Sequence, residues 1–402
     1  MSISTDKGKI NELLERGVEN IYPKKEFLQS RLESGEQLSL YVGIDPTGPN
    51  LHIGHGIFLR KMRQFQDLGH KIILLIGDFT GMIGDPTDKS ATRVRLTREQ
   101  VLENAKTYQE QAAKIVRFDG DNPVEIRYNS EWLSKMSFED VLELCANFTV
   151  QQMLERDMFE NRHKEGKPIY LHEFMYPLMQ GYDCVAMDVD GELGGNDQTF
   201  NMLAGRTLMK SLKNKEKFVL TTKLLVDPTG KKMGKSEGNM IRLNDSSDEM
   251  FGKVMSWSDG MIAGGFELLT DVPMKDIAGI EKDMKGSGNP REYKAQLARA
   301  VVGFYFDEAE ALEASTRFDQ LFQKKEVPDD VEELLVEGVL SIVDVLVQSK
   351  FAKSNSDARR LIDGGGVKVD GEVVSSIEQE IDPSSSPLVQ KGKRFFVKVV
   401  QK

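Results

Sequence analysis

The 402-residue sequence predicts an α/β fold: a doubly wound, parallel-sheet, Rossmann-like first domain, followed by a helical domain and a small α+β C-terminal domain. Three observations predict it. The apolar runs Leu38–Ile44 and Lys71–Ile76 have strand length and flank a helix-period segment, the βαβ pattern of a parallel sheet. After Ser236 the pattern becomes mostly helical, with glycine-rich breaks at Gly260–Gly265 and Gly286–Gly288. From about Leu340, helix gives way to Gly364-Gly365-Gly366-Val367-Lys368-Val369-Asp370-Gly371, which reads as a turn, a strand and a tight reversal.

Taken in order, the strand Leu38–Ile44 ends at Asp45, a helix follows His55, and the strand Lys71–Ile76 ends in Gly77-Asp78. Ligands in such sheets bind outside the carboxyl ends of the strands, which gathers Asp45, His52, Asp78 and Asp85. Arg98–Arg117 is amphipathic, with Val101, Leu102, Ala105, Tyr108, Ala112 and Ile115 on one face. Helix is expected again through Phe138–Arg162, then helix, strand and loop between Tyr170 and Lys210, punctuated by Gly191-Glu192-Leu193-Gly194-Gly195-Asn196-Asp197. The expected spans are 1–242 for the first domain, 243–325 for the helical domain, 326–339 for a linker, and 340–402 for the last domain with a Ser354–Ile362 helix.

A hydrophobic fraction of 39% over this length supports a large core and more than one domain. Cys145 and Cys184 are the two cysteines, too few for a disulfide framework or a four-thiolate zinc site. No run of 18 apolar residues and no N-terminal apolar h-region occur, so the expectation is a cytoplasmic protein with no membrane partner. The net charge of −11 opposes a nucleic-acid partner, yet from Lys350 onward ten basic side chains face seven acidic ones, a balance of +3. An acidic body with a basic tail fits an enzyme that meets a polyanion through a local patch.

Two signatures carry the chemistry. His52-Ile53-Gly54-His55 lies where a strand turns into a helix, whose free N–H groups and positive dipole end attract phosphate. Lys232-Met233-Gly234-Lys235-Ser236 supplies ammonium charge on a glycine-containing loop. Together they point to an adenylate-forming enzyme. An ionised carboxylate attacks the α-phosphate of ATP without a base, so positioning and charge stabilisation carry the catalysis. His52 and His55 would act as hydrogen-bond donors to the phosphates, with Lys232 and Lys235 adding charge. The alternatives are that the histidines cap the helix or bind a metal with Asp45, and that the lysines lie on a solvated turn. A zinc-protease reading fails because no glutamate stands between the histidines.

These motifs and four others resemble the tyrosyl-tRNA synthetases of the bacterial type, class I aminoacyl-tRNA synthetases. The others are Tyr41-Val42-Gly43-Ile44-Asp45-Pro46-Thr47 with Thr80-Gly81-Met82-Ile83-Gly84-Asp85-Pro86, then Tyr176-Pro177-Leu178-Met179-Gln180-Gly181-Tyr182-Asp183, then Gly194-Gly195-Asn196-Asp197-Gln198. The resemblance runs almost end to end. It implies that Tyr41 and Asp183 bind the phenolic hydroxyl of L-tyrosine, with Asn129 nearby. Asp85, Tyr176 and Gln180 would hold the α-ammonium and Gln198 the carboxylate. Asp45, Gly54, Gly195, Asp197, Leu224, Leu225 and Lys235 would line ATP, and Thr47, His52, His55, Lys232 and Lys235 would serve its phosphates. Magnesium is implied with those phosphates, and no protein-bound metal. The helical domain would bind the anticodon, and the last domain resembles the alpha-L RNA-binding fold, with Arg359, Arg360 and Lys368 on tRNA(Tyr). The resemblance also implies a homodimer with its interface in part of Phe138–His163. Gly234 stands where the class consensus has serine, and Glu192 where several relatives have glutamine. Rival readings are the tryptophan-specific relative, an RNA-binding protein that lost aminoacylation, and an adenylate-forming paralogue that charges no tRNA.

Overall fold

In the computed structural model of the chain, the described residues are 3–85, 96–230, 240–320, 331–392 and 395–402. They form two compact units, Met1–Glu308 and Ala309–Lys402.

The first unit is built on a six-stranded sheet of order β1-β6-β5-β2-β3-β4, comprising β1 (Val18–Tyr22), β2 (Ser39–Ile44), β3 (Lys71–Ile76), β4 (Glu125–Tyr128), β5 (Gly191–Gly195) and β6 (Phe218–Thr222). All pairings are parallel except that of β1, which closes the edge antiparallel to β6. The sequence Lys-Ile-Ile-Leu-Leu-Ile of β3 is buried from its second residue on, as expected for a parallel strand covered on both faces. Strand order reverses between β2 and β5, and that switch point is where open α/β sheets bind ligands. Tyr41 on β2 lies opposite Glu192 on β5 at this point.

Helices α1 (Lys7–Glu15), α2 (Lys25–Glu33) and α3 (Ile53–Asp67) belong to the first half of the unit. Arg98–Arg117 forms two helices, α4 (Arg98–Ala105) and α5 (Tyr108–Ala113). The break comes where Thr107 Oγ1 and the Tyr108 hydroxyl donate to the Pro49 and Gly48 carbonyls, at 3.0 and 2.6 Å. After α6 (Ser130–Leu133), the helix expected through Phe138–Arg162 is present as three segments: α7 (Phe138–Cys145), α8 (Val150–Leu154) and α9 (Asp157–Lys164). Capping boxes at Ser137/Asp140 and Thr149/Gln152 restart the first two. Helices α10 (Leu171–Met187) and α11 (Thr199–Lys213) meet through glycine, since a Cβ on Gly181 would lie 3.0 Å from the Gly205 nitrogen.

Helices α12 (Ser247–Met255), α13 (Ile262–Leu269), α14 (Met274–Met284) and α15 (Pro290–Tyr305) complete the unit, with α13 packed on α3. The Arg16 guanidinium donates to the carbonyls of Phe266, Glu267 and Thr270 at 3.0, 2.9 and 2.6 Å. A Cβ on Gly56 would stand 2.4 Å from the Tyr305 hydroxyl, and Arg60 lies over the Phe304 ring at 4.1 Å.

The second unit opens with α16 (Glu308–Asp319). It holds a five-stranded sheet of order β10-β9-β12-β13-β7, with β7 (Glu333–Val336), β9 (Val367–Val369), β10 (Glu372–Val373), β12 (Leu388–Lys391) and β13 (Phe395–Gln401). The pair β8 (Leu340–Ser341) and β11 (Glu380–Ile381), with helices α17 (Ile342–Gln348) and α18 (Asn355–Asp363), completes it. Its core includes Ile342, Leu346, Ala358, Val367, Val389 and Val399. β7 falls inside the stretch expected to be a linker, 326–339; it pairs in parallel with β13, a partner far along the chain. Among the described residues no helix is long and apolar enough to cross a membrane.

Candidate active site

At the switch point the floor of the site is set by Tyr41, Asp183, Asn129 and Trp132. Tyr176, Gln180 and Asp183 recur along α10 at helical spacing and so share a face. Buried Asp183 accepts from Trp132 Nε1 at 2.7 Å and from Asn129 Nδ2 at 3.3 Å. Asn129 is itself oriented: its Oδ1 accepts the Phe79 N–H at 2.9 Å, and its Nδ2 also donates to Thr80 Oγ1 at 2.9 Å. Burial lifts the Asp183 pKa well above the carboxylate range, and the two donors only partly offset it. Burial, then the nearby Glu192 charge, likewise raises the Tyr41 phenol, so it stays protonated.

Two more carboxylates stand beside this floor. Asp45, just past β2, accepts the Thr80 hydroxyl at 2.7 Å and the Tyr176 hydroxyl at 2.8 Å. This contact requires glycine at 77, where a Cβ would lie 2.0 Å from Asp45 Oδ1. Asp85 accepts from Arg156 at 2.7 Å and from Gln198 Nε2 at 2.8 Å. The Tyr176 hydroxyl is raised well above its ordinary pKa by burial first, then by Asp45, Asp85 and Asp183. Tyr176 is thus within electrostatic reach of all three acids, and it touches Asp45 directly. Asp78 does not join them: its carboxylate accepts the Ser130 N–H at 2.9 Å and the Ser130 hydroxyl at 2.6 Å, at the start of α6.

On the side where phosphates are expected, His52 is the N-cap of α3. Its Nδ1 accepts the Gly54 N–H at 3.1 Å, while His55 Nδ1 accepts the His52 N–H at 3.0 Å. The capping alternative is therefore realised. It is compatible with phosphate binding, because a neutral imidazole accepting at Nδ1 carries its proton on Nε2 and is a donor on that side. Gly54 has a steric reason, since a Cβ would stand 2.9 Å from the His52 ring. At Gly195 a Cβ would meet Asp197 Oδ1 at 2.6 Å and Leu224 at 3.0 Å. Asp197 is exposed and Leu225 buried, while the Thr47 N–H donates to the Asp45 carbonyl at 2.7 Å. Lys232 and Lys235 lie outside the described residues. The chain after them returns to the histidine segment, with Ile53 N–H on the Ile241 carbonyl at 2.9 Å and Leu243 N–H on that of Leu51 at 3.0 Å.

In the second unit Arg359 and Arg360 are exposed on α18, and Lys368 is half-buried on β9. Sequence reasoning missed Thr80, Arg156 and Lys217, and gave Trp132 no role. Nothing local to those positions signals a contact made by distant segments; Thr80 at least sits inside a motif already singled out.

Residues 33–323 match the family model for tRNA synthetases class I (W and Y), and residues 341–385 match the S4 domain. The tyrosine–tRNA ligase of Thermotoga maritima is 44% identical over 390 residues, covering 96% of each chain. That of Carboxydothermus hydrogenoformans is 45% identical over 403 residues, covering 97% of each. Among solved structures, an Archaeoglobus fulgidus tyrosyl-tRNA synthetase complexed with L-tyrosine superposes with a TM-score of 0.60 at 22% identity, over 77% of this chain and 99% of that one. A C-terminally truncated Aspergillus nidulans mitochondrial tyrosyl-tRNA synthetase gives 0.64 at 23% identity, over 78% and 94%.

Proposed function

The chain belongs to the tyrosyl-tRNA synthetase family of class I, and from that premise we propose how its residues divide the work. The reaction is activation of L-tyrosine by ATP to tyrosyl-adenylate and pyrophosphate, then transfer of tyrosine to the 3′ end of tRNA(Tyr). The observation that carries the residue assignment is the Asp183 carboxyl, buried at the switch point between fixed N–H donors and Tyr41. Asp183 and Tyr41, with Asn129 behind them, bind the phenol. Asp85, Tyr176 and Gln180 take the α-ammonium and Gln198 the carboxylate.

Asp45, Gly54, Gly195, Asp197, Leu224 and Leu225 line the nucleotide. Thr47, His52, His55, Lys232 and Lys235 stabilise the phosphates as pyrophosphate leaves. Both Asp45 oxygens and both oxygens of Asp85 already hold protein donors, which fits magnesium entering on the ATP phosphates and neutralising them there. The test is tyrosine-dependent ATP–pyrophosphate exchange run beside phenylalanine and tryptophan. Exchange with tyrosine alone is expected; exchange with tryptophan would overturn the pocket.

Function divides along the chain: catalysis before about residue 242, anticodon binding in 243–325, a connection across 326–339, and RNA binding in 340–402 through Arg359, Arg360 and Lys368. A chain ending at residue 320 is expected to keep pyrophosphate exchange and to lose most tRNA charging at limiting tRNA. Equal charging by both forms would refute the RNA-binding role. This cut removes β7 together with its partner β13, whereas one near Val336 would leave β7 without that partner. Exposed Phe138, Leu142 and Val150 support a homodimer joined through part of Phe138–His163. The proposed compartment is the cytoplasm, where two free thiols, Cys145 and Cys184, are at home.

A further inference from the structure

Behind the pocket lies an ion pair that none of these roles uses. Lys217, the residue before β6, is fully buried with its ammonium against the carboxylate of Glu192, itself 2% exposed. The ammonium also lies 5.6 Å from the centre of the Tyr41 ring. Gly205 makes room for it, since a Cβ there would stand 2.7 Å from Lys217 Nζ. Burial by itself would lower the Lys217 pKa, but Cys184 and Glu192 beside it carry it above the ordinary lysine value, so the side chain is charged.

Stability is a poor reason for such a pair, because apolar side chains of similar volume commonly serve a core as well or better. Its second contact suggests another. Glu192 Oε1 accepts from Gln180 Nε2 at 3.1 Å. A carboxylate accepts and cannot donate, so it holds the amide nitrogen of Gln180 on its own side and leaves the amide oxygen facing away. An α-ammonium, which only donates, needs that oxygen.

We infer that Lys217 is a positioning residue for tyrosine: paired with Glu192, it keeps that side chain a pure acceptor and so turns the Gln180 amide oxygen toward the substrate ammonium. The inference rests on the reading of Gln180 as an ammonium ligand.

Full-length variants in the exchange assay test it. In Glu192→Gln the new amide directs its oxygen to the Lys217 ammonium and its NH2 to Gln180, forcing that amide to flip. Tyrosine KM should rise about tenfold or more, with ATP KM unchanged and the loss falling mainly on KM. Inhibition by 3-(4-hydroxyphenyl)propionate, which lacks the ammonium, should change far less in the same variant. Removing the cation as well, in Glu192→Gln/Lys217→Met, frees the amide to turn its oxygen to Gln180 and should recover most of the KM. A pair that merely held the core together would make the double variant worse, and that result overturns the inference. So does a Glu192→Gln enzyme with normal tyrosine KM, or one that loses the phenolic acid in parallel. Gln180→Leu separates the two layers. If it raises tyrosine KM while Glu192→Gln does not, Gln180 remains the ligand and the inference falls; if it leaves KM unchanged, the ligand reading fails and takes the inference with it.

Discussion

In Asp183→Ala, tyrosine-dependent pyrophosphate exchange is expected to fall by about a thousandfold or more in kcat/KM with the fold intact. The size follows from what the substitution leaves behind. Asp183 is the acceptor for both Trp132 Nε1 and Asn129 Nδ2, and its burial raises its pKa. Alanine removes the phenol's partner and also strands those donors, so the penalty exceeds that of one lost hydrogen bond. Phenylalanine should be rejected by the native enzyme for the mirror-image reason. Tyrosyl-tRNA synthetase against phenylalanine is the standard example of this asymmetry, so its magnitude is not a new result. The measurement is exchange kinetics beside a circular dichroism melt; near-normal activity in a folded variant would remove Asp183 from the pocket.

For Lys235→Ala the expected loss is about a hundred- to thousandfold in the rate of adenylate formation, with tyrosine affinity retained. Charge builds on the phosphates as pyrophosphate departs, and a fixed ammonium counts most at that moment. The segment following the lysines is tethered to the histidine turn by the Ile53–Ile241 and Leu51–Leu243 hydrogen bonds, and Lys114 Nζ fastens the Leu243 carbonyl at 2.6 Å. The described chain from residue 241, which follows the lysine signature, is thus pinned beside the histidine signature. Single-turnover adenylation with equilibrium dialysis of tyrosine separates the two effects, and an unchanged burst would retire the role.

The sheet was legible in the sequence because β2 and β3 are apolar runs between turn residues, and the site because strand ends in such a sheet converge. Asp45 and Asp85 came from that convergence, whereas Tyr41, Tyr176 and Gln180 entered only through the motifs' resemblance to the family. The three-way break of Phe138–Arg162 was also readable, through Ser137-Phe138-Glu139-Asp140 and Thr149-Val150-Gln151-Gln152, but helical periodicity masks a short non-helical link. Asp78 was misleading because a strand-end carboxylate can equally cap the next helix, and only the position of Ser130 decides. Lys217 and Arg156 carried no local signal. A buried charge is exceptional, and the partners that make it tolerable, Glu192 and Asp85, lie 25 and 71 residues away.

The seat that Gly56 makes for Tyr305, and the three carbonyls gathered by Arg16, bear on how such proteins can be rebuilt. A designer wishing to graft a foreign helical segment would cut near residue 242, where the text of the sequence changes character. The graft would then arrive without its socket. Residues 16, 56 and 60 belong to the recipient yet are shaped for the donor. A transplantable module must therefore carry these three positions with it, although they lie at the opposite end of the chain.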